Sequence, residues 1–498
     1  MALSEKWVPM RWASGPLEIA RRGQVKPPTA EVVEVLRKWH DPASLALVQG
    51  TPVNCLVLSW AAGLPADAEQ QQTLRPLLER GRQTGVGFVG LIEKGADGKT
   101  AIAAARAAGL SAVAMEGDQP QSPELPVIPW TTSERAEWKK PGEVLALTDS
   151  AWPCLPADRP PTGGPTALPW VQSNGALIRI ARALAPSRTI WLSFSPPADE
   201  RLLDADGYSL AVADAAVYGA RWVIALDDGL IRGLLAADQK ATTTWTRIAA
   251  ATWQRITSTT AFFEQQVDTR TYRPRAVFAV ISDFAGPNRP LSYEAVNLLP
   301  RRRVPALVMD TSQAAGESFT GLLGVFYADQ EPPPSRLRQK LVSFAQAGGT
   351  VFACPKAGFS EGSPMPSEDY FVFSMRSFGK GRIGVLKEEQ PDAYHLVVDI
   401  QTIMSRRNDL MRLNNGTGLN CYYLVSPDGK RSLVHILSYS RRPGMSAGLY
   451  LKDKVRSARY LSPEKAAPAE LQTILVENGG TDIPLPAIAS YGAIELQS

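Results

Sequence analysis

Five acidic residues stand where short apolar runs end. Glu93, Glu116, Asp149, Asp227 and Asp228 each close or directly follow a stretch that reads as a β-strand. Two carboxyl groups facing one cleft suit the cleavage of a glycosidic bond. One serves as general acid, and the other as nucleophile or as base for water. They stand about 5–5.5 Å apart for retention of configuration and roughly 6.5–9.5 Å apart for inversion. Glu116 is the first choice for the acid, in Ala114-Met115-Glu116-Gly117, with Asp149 or Asp227 as its partner. Each of these acids also has a plainer role, as a helix N-cap or in a loop salt bridge. Asp227-Asp228-Gly229, just ahead of a helical run, fits that plainer role well.

The tryptophans supply a second line. All 12 lie between Trp7 and Trp253, and the second half of the chain has none. Trp12, Trp60, Trp130 and Trp152 fall at or just beyond candidate strand ends, where an indole could stack on the apolar face of a sugar ring. Trp is equally a good core residue, and Trp191 and Trp222, inside strands, suit that role. Asn54, Asn174 and Asp228 could offer hydrogen bonds to hydroxyl groups.

The elements that must position these residues alternate between strand and helix. Candidate strands are Met10–Ala13, Val53–Trp60, Val86–Glu93, Ala112–Glu116, Val127–Trp130, Val144–Thr148, Thr189–Phe194 and Trp222–Asp227. Helical patterns such as Ala30–Trp39, Ala68–Gln83 and Thr100–Ala108 fall between them. Eight parallel strands in roughly 250 residues match a closed (β/α)8 TIM-type barrel, whose active sites lie at the C-terminal strand ends. This reading gives a multidomain α/β chain. The barrel spans residues 1–270, with a Pro- and Gly-rich loop at Ser150–Pro169 and a closing helix at Thr242–Phe263. A three-layer α/β domain follows at 271–412. Its strands are Val277–Ile281, Ala306–Met309, Val325–Tyr327, Thr350–Ala353 and Ile383–Leu386, and its helices are Ser335–Ala347 and Ala393–Arg406. The segment before Gly379 reads as irregular. Short alternating runs and a Pro427-Asp428-Gly429 turn make residues 413–498 a small β-sandwich.

Composition excludes several classes. The 498 residues carry 53 basic and 49 acidic side chains, a net charge of +4. The densest basic run is Arg301-Arg302-Arg303, too short to suggest a nucleic-acid partner. No apolar stretch is long enough for a membrane span. The four cysteines form no CxxC pair, and there are three histidines, so neither a metal site nor a cofactor is expected. Residues 1–10 lack a leader pattern, as expected of a cytoplasmic chain or of an exported one whose leader has been removed. Cys354 and His395 raise an amidotransferase dyad, but Cys354-Pro355 offers no glycine-rich elbow, and a buried thiol is the simpler role. Gly379-Lys380-Gly381 lacks the spacing of a phosphate loop and reads as a hairpin. His40 closes a helix, where its charge favours the dipole.

Barrel, α/β domain and β-sandwich, in that order, resemble family 42 β-galactosidases and related clan A glycoside hydrolases. In those enzymes a glutamine-amidotransferase-like domain and a β-sandwich follow the catalytic barrel. Ala279-Val280-Ile281-Ser282-Asp283 resembles the first strand of that middle domain, and Tyr293-Glu294-Ala295 with Asn297-Leu298-Leu299 its next helix. Val304-Pro305-Ala306 resembles the lead into its second strand. Ala347-Gly348-Gly349-Thr350-Val351 resembles a later helix-to-strand turn, and Gly379-Lys380-Gly381-Arg382 its glycine hairpin. The resemblance implies a carbohydrate partner, hydrolysis at the barrel rim and a homo-oligomer. It also implies an Asn-Glu acid/base pair ending the fourth strand and a nucleophilic Glu ending the seventh. Here Met115 precedes Glu116, and the seventh strand ends in Ser193-Phe194-Ser195 without a carboxylate. The alternative reading is therefore a non-catalytic carbohydrate-binding or scaffold protein built on a degenerate glycosidase barrel.

Overall fold

A computed structural model describes residues 6–117, 125–155, 171–196, 204–237, 243–265, 267, 272–405, 408–416, 418–440, 447–476 and 479–497. Most of the proline-rich loop expected at Ser150–Pro169 lies outside the described residues. The chain forms two compact units. One comprises Met1–Trp152 and Ser187–Asp268, the other Pro153–Pro186 and Thr269–Ser498.

The first unit is an eight-stranded parallel barrel. Its strands are β1 (Pro9–Trp12), β2 (Cys55–Ala61), β3 (Gly87–Ile92), β4 (Ala112–Met115), β5 (Val127–Thr131), β6 (Val144–Leu147), β7 (Thr189–Ser193) and β8 (Arg221–Val223), paired in sequence order. A parallel bridge between Met10 and Ile224 brings β8 back to β1. The Arg11 amide donates to the Ile224 carbonyl at 2.7 Å, and the Ile224 amide to the Pro9 carbonyl at 3.0 Å. These are the eight strands expected from the apolar runs, each within a few residues of its expected bounds.

Both faces of a barrel strand are buried, so its sequence is apolar throughout and conceals which residues face inward. The packing supplies that parity. One core cluster takes Cys55 and Val57 from β2, Val89 and Leu91 from β3, and Ala112 and Ala114 from β4. It continues with Ile128 and Trp130, Val144 and Ala146, Trp191, and Val223. Every second residue fills the interior, as the two-residue period of a strand requires.

Three helices follow the early strands: α1 (Gly15–Val25), α2 (Ala30–Trp39) and α3 (Asp67–Thr84). The first was not evident in the sequence. Two residues separate it from β1, and it opens on Gly15 at φ +83°. A Cβ there would lie 2.4 Å from the Gln70 side-chain oxygen. Gln70, fully buried on α3, accepts from the Leu17 amide at 3.1 Å and donates to the carbonyls of Ser14 and Ser59. Glycine and glutamine together fasten the start of α1 beside the end of β1.

The second unit contains a seven-stranded sheet. Ala306–Asp310, Phe278–Ser282, Gly324–Tyr327, Thr350–Ala353 and Gly381–Leu386 run parallel in that spatial order. Phe373–Phe378 and Ser363–Asp369 extend the edge antiparallel. This corrects the irregular segment expected before Gly379. Pro364 and Pro366 concealed a strand in the sequence, yet they are tolerated on the sheet's edge, where a missing N–H breaks no ladder. Two antiparallel sheets of four and six strands complete the unit. They share one apolar core, with Leu449, Leu451 and Ile483 from one and Val434, Ile436, Ile494 and Leu496 from the other.

Candidate active site at the barrel mouth

Extending the interior parity past the strand ends sorts the expected carboxylates. Leu91 faces inward, so Glu93 does too; Ala114 faces inward, so Glu116 follows. Ile92 pairs with Met115, and the Glu116 amide donates to the Ile92 carbonyl at 3.0 Å. Glu93 and Glu116 are thus level neighbours on adjacent strands, about one strand spacing of ~4.8 Å apart at the backbone. Both line a cleft of about 700 Å³ at the barrel mouth. Asp227 and Asp228, at the end of the eighth strand run, line it as well, as do Trp130 and Ser195. Ala146 faces inward, which turns Asp149 away from the interior. Asp149 is exposed and accepts from the backbone amide of Ser133 at 2.9 Å and from its hydroxyl.

The remaining carboxylates differ in what holds them. Asp227 accepts from the Leu230 amide at 2.9 Å and from the Tyr208 hydroxyl at 3.0 Å, which makes it a cap for the helix Asp228–Ala237. Asp228 is gripped by both terminal nitrogens of Arg22, at 2.5 and 3.0 Å. Glu93 lies 3.0 Å from Arg21 as an ion pair, but the two groups are not aligned for a hydrogen bond. Burial is the largest influence on its carboxyl and raises its pKa. The cations of Arg21 and Arg11 oppose this, while the charge of Glu116 adds to it. Among the described residues, nothing donates a hydrogen bond to the Glu116 carboxylate.

Three arginines and Glu18 organise this mouth, and none was anticipated. Arg11 projects inward from β1, bonding the Val57 carbonyl at 2.9 Å and the Ser59 hydroxyl at 2.8 Å. Its cation interacts favourably with Glu18, Glu93 and Glu116, although burial lowers its pKa. Glu18, on α1, pairs with Arg21 at 2.9 Å and with Arg22 at 3.1 Å. Arg21 then reaches Glu93 beyond β3, and Arg22 reaches Asp228 beyond β8. A chain of charges therefore runs through α1 between two well-separated sectors of the mouth. The Glu18–Arg22 spacing of four residues is a helical pairing signal visible in the sequence; the partners of each arginine across the mouth are not.

The other expected ligand-binding residues lie elsewhere. Trp12 and Trp60 point away from the interior, one residue out of phase with Arg11 and Ser59, and are fully buried. Trp12 stacks on Trp39 with ring centroids 4.1 Å apart, and its indole nitrogen donates to the Trp39 carbonyl. Trp60 donates to the Ala101 carbonyl. Trp152 packs with Phe194, Tyr208 and Trp222 at centroid distances of 5.3–5.6 Å. Asn54 precedes β2, at the opposite end from the mouth, and ties residues 6–8 to that strand. Asn174 is buried at the start of the helix Gly175–Leu184, which belongs to the second unit. Among the described residues no cluster of His, Cys, Asp or Glu is placed to hold a metal ion, and no helix is long and apolar enough to cross a membrane.

No family model and no curated protein matches the chain. Solved structures do. An α-L-fucosidase, isoenzyme 2, from Paenibacillus thiaminolyticus superposes with a TM-score of 0.59 at 10% identity, covering 93% of this chain and 96% of that one. A β-galactosidase from Bacillus circulans sp. alkalophilus gives 0.44 at 11% identity, over 87% and 68% of the two chains. An exo-β-1,4-mannosidase from Opitutaceae bacterium strain TAV5 gives 0.45 at 10% identity, over 80% and 95%. The likeness is one of fold, an eight-stranded parallel (β/α)8 barrel. At these identities the likeness concerns the fold, and function must be argued from the site.

The amidotransferase dyad has no geometric basis. Cys354 is fully buried, donates to the Ala328 carbonyl at 3.4 Å, and burial pushes its thiol up to about 12. His395 packs instead against the exposed ring of Phe371, tilted by 36° with centroids 4.2 Å apart. A protonated, enclosed thiol is a poor nucleophile.

Proposed function

We propose that the barrel mouth binds a glycoside and hydrolyses it, with Glu93 as general acid and Glu116 as the second carboxylate. The observation that carries this reading is the pair itself: two inward-facing carboxylates, level on adjacent strands, in one cleft. Their environments differ in the way acid–base division of labour requires. Burial favours a proton on Glu93, ready for the leaving oxygen. Glu116, with nothing among the described residues donating to its carboxylate, is available to attack the anomeric carbon or to activate water. Arg11 lies near enough to both to stabilise negative charge as the proton moves. Asp149 and Asp227, the partners expected from the sequence, are occupied by hydrogen bonds; Glu93 becomes the partner of Glu116 and takes over the acid role expected of it. Trp130 supplies the aromatic wall and Asp228 a polar one. No metal or cofactor enters this scheme. In layout the second unit is read as amidotransferase-like and sandwich domains without chemistry of their own, and a homo-oligomer belongs to the same proposal.

The test is release of reducing sugar from a panel of oligosaccharides and synthetic glycosides. The parent should release sugar, and Glu116→Gln should lower kcat by ~10²-fold or more, the usual scale for a positioned acid–base group. A second reading is favoured by Ser195, which stands where related barrels carry a nucleophile: the cleft binds sugar without cleaving it. Sugar binding by calorimetry with no release from any substrate would select that reading.

A further inference from the structure

The cleft has two kinds of wall. Its floor is charged, with Arg11, Glu93 and Glu116. One side mixes exposed apolar side chains with Gln24, Lys26 and Thr29. Val25, the last residue of α1, is 92% exposed and yet lines the cleft, beside Pro27, Pro28 and Leu64. A lone exposed valine is ordinary on a surface; at a cleft wall it also offers apolar area to whatever enters the cleft.

The direction of this wall follows from Glu93. A general acid must stand next to the glycosidic oxygen, so the leaving group departs on its side of the cleft. Glu93 is in ion-pair contact with Arg21. Val25 is four residues beyond Arg21 on the same helix, and residues four apart share one face. Moving outward from Glu93 along α1 therefore leads from the arginine to the exposed valine. Pro27 and Pro28 stiffen the segment that follows, because each fixes its own φ.

Resting on the glycosidase reading above, we infer that the substrate is a glycoside with an apolar aglycone, an aryl or alkyl group seated against Val25, Pro27, Pro28 and Leu64. In the reaction the anomeric C–O bond breaks and the departing oxygen takes the Glu93 proton, so the aglycone leaves as a phenol or alcohol. A water molecule gives its hydroxyl to the anomeric carbon: when it attacks directly its proton passes to Glu116 and returns to Glu93 through solvent, and when Glu116 has first held the sugar its proton passes to Glu93.

The experiment compares phenyl and methyl thioglycosides of a panel of hexopyranoses by calorimetry, using the parent and Val25→Ser. Thioglycosides resist cleavage, so binding is read whether or not the protein hydrolyses anything. Val25 is exposed, so its replacement leaves the core untouched. The phenyl ligand should bind more tightly than its methyl counterpart. Val25→Ser should weaken the phenyl ligand alone, by roughly fivefold to tenfold, because serine buries less apolar surface against the ring. Equal affinity for both ligands in the parent, or equal weakening of both in the variant, overturns the apolar-aglycone assignment and leaves the carbohydrate reading standing. No binding by either class contradicts both. On phenyl O-glycosides the same variant should raise KM and leave kcat unchanged.

Discussion

The molecule carries two sets of parallel strands whose C-terminal ends bear acids, and it treats them differently. In the seven-stranded sheet, Asp329 follows the strand Gly324–Tyr327. It accepts from the Ser282 hydroxyl at 2.7 Å, the Asp283 amide at 3.0 Å and the Thr311 hydroxyl at 2.6 Å. Asp283 and Glu331 are joined through the side-chain amide of Asn288 at 3.1 and 3.3 Å. Asp310 accepts from Ser312 twice. These carboxylates are tied into hydrogen bonds at the point where strand order reverses, the place where an open α/β sheet ordinarily takes a ligand. At the barrel mouth, Glu93 has one misaligned cation and Glu116 has no donor among the described residues. Fully bonded carboxylates hold a structure together; under-bonded ones in a cleft are available to a substrate.

The largest effect that separates the two regions is on stability. Asp329→Ala strands two hydroxyls and a partly buried amide, and should lower unfolding free energy by about 3 kcal/mol, read from urea denaturation. Asp329→Asn keeps the carbonyl acceptor and should lose less. A loss under roughly 0.5 kcal/mol for the alanine variant would remove the structural half of the contrast.

A smaller effect comes from His435 in the six-stranded sheet. Its Nδ1 lies 2.8 Å from the Tyr491 hydroxyl, and its Nε2 has no partner among the described residues. Burial depresses its pKa to about 3. An unfolded histidine titrates near ~6.5, so between these values the unfolded chain binds the extra proton. Its contribution is complete above the unfolded value and is lost as pH falls, by ~1.4 kcal/mol for each pH unit. Urea midpoints measured between pH 7 and pH 5 should show this slope, and His435→Gln should flatten it.

The smallest effect concerns tuning. Arg21 lowers the pKa of Glu93 against the upward push of burial. A general acid works while protonated, so activity falls as pH rises through its pKa. Arg21→Gln should move that fall to higher pH, and Arg21→Lys should restore it. An unchanged pH–rate profile in Arg21→Gln would detach α1 from the chemistry.

Much of the fold was legible because barrel strands are apolar on both faces and stand out as runs. The same property hid the site. Within Val144–Leu147 nothing distinguishes inward from outward residues, so Asp149 was ranked with Glu116 although the parity of its strand turns it outward. Trp12 and Trp60 were misjudged for the same reason. The helix α1 escaped notice because a short, charge-rich segment opening on Gly15-Pro16 reads as a turn. Its decisive contact, Arg22 with Asp228, joins residues 206 apart in sequence, and no local pattern reports a pairing at that distance. In the second unit, prolines at 364 and 366 concealed an edge strand that only the sheet beside it explains.

The contrast reduces to one paired measurement on Glu93→Gln, with sugar release and urea stability read from the same preparation. The account predicts that release collapses while stability at pH 7 holds or rises, because ionising a carboxyl that burial disfavours costs the folded state and glutamine carries no such charge. Release that survives the substitution, or a protein that unfolds more readily without the Glu93 carboxyl, would show that Glu93 is held for structure rather than for chemistry.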